Sequence, residues 1–143
     1  MLLIGSYGEG IFRSDDNGQT WRAFNEGVRN SLIDDLNVYR NVVIAATDDG
    51  LYRLNVEGTA WEELKNFAAT VTGGANGLAR LGNALYATTF GRGIWVSVNN
   101  GESWYQVNQG MTIDRSFTFA IVEGNLFVGS AGNGVFVLHN PAR

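Results

Sequence analysis

The chain has 143 residues and a mass of 15.6 kDa, the size of one domain, and its 45% hydrophobic content is enough for a packed core. Charged residues are only 17% against roughly 25% in an average globular domain, with 19 Gly and one Pro, which excludes long solvated helices and favours short strands and turns. A net charge of −4 with Lys65 as the one lysine does not suit nucleic-acid phosphates, and the lack of Cys excludes disulfides, thiolate metal sites and a thiol nucleophile.

In chain order, the first predicted strand is Leu2–Ser6. Gly5-Ser6 ends the apolar start, and no basic residue precedes it, so it does not read as a signal peptide. Gly10-Ile11-Phe12 opens the second strand and Trp21 the third. Next come Leu36–Tyr39, a turn at Arg40-Asn41, Val42–Thr47, Gly50 leading into Leu51–Leu54, and Trp61–Lys65. Asp34-Asp35 reads as a helical turn or a loop cap, and Gly58 interrupts Arg53–Phe67 too early for a long helix. Then follow Leu78–Leu81, Gly82-Asn83, Ala84–Thr89, Gly93-Ile94-Trp95 and a strand opened by Trp104. The last group is Phe117–Glu123, Gly124-Asn125, Leu126–Ser130 and Gly134-Val135-Phe136. Gly-Asn between apolar runs predicts two-residue type II′ hairpins, with Gly taking the positive φ.

These elements repeat. Gly10, Gly50, Gly93 and Gly134 are spaced by 40, 43 and 41, and a Trp follows the first three at a constant offset of eleven. Each period reads as four short strands, A to D, and four antiparallel strands in about 40 residues, repeated, is the pattern of β-propeller blades. The expected fold is therefore all-β, a single domain over 1–143 with repeats at approximately 1–35, 36–77, 78–116 and 117–143. The order B-C-D, A-B-C-D, A-B-C-D, A-B-C makes fourteen strands, about 3.5 blades' worth. No stretch reaches the roughly 18 apolar residues of a membrane helix.

Between strands C and D the first repeat reads Ser14-Asp15-Asp16-Asn17-Gly18-Gln19-Thr20-Trp21, which matches Ser-x-Asp-x-Gly-x-Thr-Trp. The third reads Ser97 to Trp104, with Asn99 and Ser103 in the Asp and Thr places and Gly101 retained. The second, Leu54 to Trp61, keeps only Gly58 and Trp61, and the fourth stops at Leu138-His139-Asn140. These motifs resemble the Asp-box of the BNR, or sialidase-like, repeat family, and the resemblance covers essentially the whole chain. A short acceptor at Asp16 can bind backbone N–H groups of its own turn, Gly18 supplies a conformation that a side chain resists, and Trp21 starts strand D with a large ring. Ser14, Asp16, Gly18, Thr20, Trp21, Ser97, Asn99, Gly101, Ser103 and Trp104 are thus expected to lock turns. Trp21, Trp61 and Trp104 are expected in equivalent buried positions, with Trp95 packed within its own sheet. A calcium loop at Asp15–Gly18 lacks alternate-position carboxylates and the distal Glu, so no metal is expected.

The loops at the other end carry the ligand candidates: Tyr7, Glu9, Asp48, Asp49, Phe90, Arg92 and Asn133 after the B strands, and Arg115 before an A strand. Arg29, Asn30, Asp34, Asp35, Phe67 and Asp114 share the D–A loops. Aromatics beside arginines and carboxylates suit a polar ligand such as a sugar, and equally suit ordinary solvated loops. No catalytic residue is assigned. The family's Phe/Tyr-Arg-Ile-Pro signature is absent, since Ile11-Phe12-Arg13-Ser14 has no Pro, and His139 is a lone C-terminal imidazole. Gly8-x-Gly10 and Gly91-x-Gly93 precede no helix, so no dinucleotide or other cofactor is expected.

The resemblance thus implies a non-enzymatic β-propeller scaffold for ligand or protein binding. The alternatives are a carbohydrate-active enzyme or a fragment of one, and a lectin-like sugar-binding module. No nucleic-acid or membrane partner is expected, and the family favours a secreted or periplasmic setting. Because the first and last repeats duplicate B and C, they cannot merge into one blade. The expected assembly is a homodimer forming a two-fold ring; an excerpt of a longer propeller and a strained monomer are the alternatives.

Overall fold

A computed structural model describes residues 1–71, 73–108, 110–111 and 116–139, with the backbone alone at 116–117. The first sheet contains β1 (Leu2–Ser6), β2 (Gly10–Ser14) and β3 (Arg22–Ala23). The second contains β4 (Ile33–Tyr39), β5 (Val42–Thr47), β6 (Gly50–Leu54) and β7 (Trp61–Glu63), and a helix of seven residues, α1 (Lys65–Val71), follows it. The third contains β8 (Ala75–Leu81), β9 (Ala84–Thr89), β10 (Gly93–Ser97) and β11 (Tyr105–Gln106). The fourth contains β12 (Ser116–Val122), β13 (Asn125–Ser130) and β14 (Gly134–Leu138). All four sheets are antiparallel with strands in chain order, and they hold three, four, four and three strands among the described residues. The all-β expectation and the strand distribution agree with the structure.

The sheets stack in sequence. β1 lies against β4, β4 against β8 and β8 against β12, so the leading strands stand side by side. Alternation puts one face of each strand toward the preceding sheet and the other toward the next. Ile11 and Phe24 of the first sheet meet Ala45, Tyr52 and Trp61 of the second. Ile44, Leu51 and Phe67 meet Leu78, Leu85 and Trp104. Tyr86, Ile94 and Val96 meet Leu126 and Val128. Burying each such side chain stabilises the fold by about 1.5–3 kcal/mol.

Of the two expected Gly-Asn hairpins, the first agrees with the structure and the second departs from it. Gly82 has φ +58 while Asn83 does not share the left-handed region, as a type II′ turn requires. In the last hairpin Asn125 pairs with Val122, so the loop is Glu123-Gly124, not Gly124-Asn125. Both residues have positive φ, 50° and 74°, which is type I′; Arg40 and Asn41 do the same at 47° and 64°. The twist of a type I′ turn matches that of the strands, and this outweighs the cost of a left-handed Glu or Arg.

The Ser-x-Asp-x-Gly-x-Thr-Trp segment is a locked turn. Ser14 Oγ donates to Asp16 Oδ1 at 2.8 Å and accepts the Gly18 N–H at 2.8 Å. Asp16 accepts the Thr20 N–H at 2.9 Å and the Thr20 hydroxyl at 2.5 Å, and Trp21 Nε1 donates to Gly18 O at 3.1 Å. The Ser97 turn repeats these bonds with one reversal: Asn99 Nδ2 donates to Ser103 Oγ at 2.8 Å. In the second repeat Asn55, one position early, takes over, its Oδ1 accepting Thr59 and Ala60 N–H groups while Val56 points to solvent.

Two further expectations are corrected. Trp61 and Trp104 are 3% and 7% exposed, but Trp21 is 39% exposed, because no preceding sheet covers it among the described residues. Trp95 is half-buried and packs against the cluster that the second and third sheets share, which includes its own sheet's Ala87. Asp34 and Asp35 lie inside β4, which starts at Ile33 rather than Leu36, because this strand pairs with β5 as far as Thr47.

Candidate functional site

Each leading strand from the second sheet onward begins with the same irregularity. The ladders to the next strand shift register between Ile33 and Asp35, between Ala75 and Gly77, and between Ser116 and Thr118. A bulge of this kind leaves one residue outside the ladder and re-aims its side chain. The residues skipped by the register are Asp34, Asn76 and Phe117. Two polar side chains are thereby delivered to the same end of neighbouring strands.

The residue after the first bulge, Asp35, ties the second sheet to the third. Asp35 Oδ2 accepts the Leu78 N–H of β8 at 2.7 Å, while its Oδ1 accepts the Leu36 N–H at 2.8 Å. Asn37 Nδ2 donates to Leu78 O at 3.2 Å. Burial raises the Asp35 pKa, and these two backbone donors oppose the rise. Around them opens a cleft of about 380 Å³ whose polar lining includes Asp34, Asp35, Asn37, Asn76 and Thr118.

Asp34 is the most perturbed acid here. Its Oδ2 is buried without a hydrogen-bond donor among the described residues. Burial first, then the charge and the side chain of Asp48, then the charge of Asp35, push its pKa up to about 6. Near neutral pH part of the population therefore carries a proton there, and Asp34 can donate as well as accept.

The turns that follow the second strands complete this end. In all four sheets the strand before the one opened by the recurring Gly ends in a Ser or Thr whose hydroxyl donates to the carbonyl of that Gly: Ser6 to Gly10, Thr47 to Gly50, Thr89 to Gly93 and Ser130 to Gly134. Asp49 accepts from Thr47 Oγ1 at 2.7 Å and from the Tyr52 hydroxyl at 3.2 Å. Arg29 pairs with Glu63 at 2.6 Å and shares the neighbourhood of the Tyr52 hydroxyl and Asp49. Asp49 and Arg29 therefore brace the second sheet.

The predicted ligand candidates divide accordingly. Asp48 lies beside Asp34. Asp49 is held in the turn. Tyr7 and Phe90 are exposed at 69% and 47% on the turns after β1 and β9. Glu9 donates its backbone N–H to Ser6 Oγ, and the Arg92 carbonyl accepts from Trp95 Nε1 and Gln106 Nε2. Asn133 sits in the β13–β14 turn. Arg115 and Asp114 lie outside the described residues. Phe67, placed among the loops by sequence, is instead a fully buried residue of α1. Asn37, Asn76 and Thr118 are not legible as site residues in the sequence, because the recurring Gly markers locate their strands but not the bulge. Among the described residues no group of three or more acidic or His side chains is arranged to hold a metal.

No family model matches the chain, and no curated protein matches it. Solved structures do. The extracellular domain of BT4673 from B. thetaiotaomicron superposes with a TM-score of 0.76 at 18% identity, over 94% of this chain and 19% of that one. The computationally designed Ika4 protein gives 0.69 at 14% identity over 96% and 83%, and the designed Ika8 protein 0.68 at 14% over 98% and 43%. The chain thus spans about a fifth of the BT4673 domain and most of Ika4. At these identities the likeness is one of fold. Among the described residues no helix is long and apolar enough to cross a membrane.

Proposed function

We propose that this chain is an Asp-box β-propeller segment that works as a non-enzymatic binding scaffold, with the bulged ends of its leading strands as the ligand face. The repeated stack of antiparallel sheets and the two equivalent locked turns support the propeller reading. The observation that carries the functional reading is the state of the acids at this end of the second sheet. Asp35 and Asp49 are engaged in holding the backbone and Tyr52. Asp34 and Asp48 adjoin within hydrogen-bonding reach, whereas glycosidase carboxyls stand about 5–9.5 Å apart on either side of a sugar.

A polar cleft at the end of the sheets that also exposes Tyr7 and Phe90 suits a hydroxyl-bearing ligand, a glycan or a polar segment of a protein, held by stacking and hydrogen bonds. The BT4673 neighbour is an extracellular domain, which favours a secreted or periplasmic setting. A glycan array read beside a panel of chromogenic glycosides tests this. Binding without turnover that weakens about tenfold in Phe90→Ala is the expected result, equivalent to about 1.4 kcal/mol. Turnover of any glycoside refutes the non-enzymatic reading.

A further inference from the structure

The positions that join one sheet to the next are the same positions exposed, among the described residues, on the outer faces of the first and fourth sheets. On the face toward the preceding sheet, Leu2 and Ile4 of β1 correspond to Leu85 and Ala87 of β9 and to Leu126 and Val128 of β13, counted back from the Ser or Thr that closes each strand. The latter four are all fully buried, whereas Leu2 and Ile4 are 45% and 48% exposed. Trp21 shows the same contrast with Trp61 and Trp104.

The opposite face behaves in mirror fashion. Val135 of β14 is the counterpart of Ile11, Leu51 and Ile94, each the residue after the Gly that opens its strand. Those three are fully buried against the following sheet, and Val135 is 66% exposed. Val137, the counterpart of the buried Val96, is 39% exposed. One end of the stack therefore displays the set that receives a sheet, and the other displays the set that is received.

We propose that the occupant of both faces is a second copy of this chain. The fourth sheet of each copy packs on the first sheet of the other, in the manner of the three internal sheet contacts, and the two contacts close a two-fold ring of eight sheets, four from each copy. The contact is head-to-tail: an exposed Val135 face meets an exposed Ile4–Trp21 face, never its own kind. The inference rests on the sheet stacking and not on the proposed ligand face, so failure of glycan binding leaves it untouched.

Light scattering coupled to size exclusion at micromolar concentrations is expected to return twice the 15.6 kDa of one chain. The mass of one chain, or an open ladder of larger masses, overturns the closed ring. Ile4→Glu and Val135→Glu each alter a side chain already exposed in the single chain, so both are expected to fold, with circular dichroism as the check, and each alone is expected to be monomeric. Should Ile4→Glu fail to fold, Trp21→Ser carries the same test. Mixed in equal amounts, the two variants retain one intact end of each type and are expected to recover a dimeric mass. If one of the two variants stays dimeric on its own, pairing is between like ends and the proposal is wrong.

Discussion

Phe67 stands edge-on to Trp104, with ring centroids 4.9 Å apart and planes at 75°, and so joins the helix after the second sheet to the locked turn of the third. Phe24 meets Trp61 in the corresponding way at 6.0 Å and 61°, and the Trp61 indole also donates to the Phe24 carbonyl at 2.9 Å. Each pair fastens one sheet to the next. The first sheet's Trp21 has no such partner among the described residues.

Truncation should follow that difference. Trp104→Ala and Trp61→Ala are expected to cost about 3–5 kcal/mol, the range for a buried aromatic. In the single chain Trp21→Ala is expected to cost about 1 kcal/mol or less, as for an exposed residue. Urea denaturation of an Ile4→Glu background, where Trp21 stays exposed, checks the ordering. A double-mutant cycle on Phe67 and Trp104 should return a coupling of about 0.5–1.5 kcal/mol.

Asp34 gives the fold a pH dependence of definite sign. Its pKa is about 6 in the folded chain and 3.8 as a free carboxyl, so the folded state binds the proton more tightly. The stabilising contribution is full below pH 3.8 and is lost as pH rises through about 6. In Asp34→Asn, the fall in stability between these values should largely disappear. An Asp34 carboxyl carbon titrating near 4 in NMR would contradict the assignment.

Asp16 works in the opposite direction. The Thr20 hydroxyl and N–H, with Ser14, hold its pKa down to about 2 against 3.8 unperturbed. Its contribution is present above pH 3.8 and is lost as pH falls through about 2. Asn99 performs the same task in the third sheet without a charge. Asp16→Asn should therefore retain most of the thermal midpoint and lose the acid sensitivity, whereas Asp16→Ala should lower the midpoint at every pH. Equal loss in both variants would show that the charge, and not the geometry, matters.

Tyr86 is fully buried between the third and fourth sheets, and its hydroxyl has no hydrogen-bond partner among the described residues. Burial pushes its pKa up to about 12. Removing an unsatisfied buried hydroxyl while keeping the ring relieves a desolvation cost of about 1–3 kcal/mol. Tyr86→Phe is expected to raise the urea midpoint. A fall of more than about 1 kcal/mol would mean that the hydroxyl has a partner worth a hydrogen bond.

The amino-acid sequence alone determines the strands and their order. The Gly markers, the Trp offset and the alternation within Val42–Thr47 and Ala84–Thr89 are local, and local patterns follow from backbone sterics and side-chain period. The bonds of the Ser14–Trp21 turn were likewise legible, because all the donors and acceptors lie within eight residues. Burial was not: Trp21, Trp61 and Trp104 look alike in sequence, and only the stacking of sheets decides which ring has a neighbour. Asp34-Asp35 read as a turn because two adjacent acids disfavour a strand, but pairing with β5 and the Asp35 bond to Leu78 override that preference. The cleft belongs to the same category. It exists because three bulges on strands about 40 residues apart are brought side by side, and a single repeat carries no record of that neighbourhood.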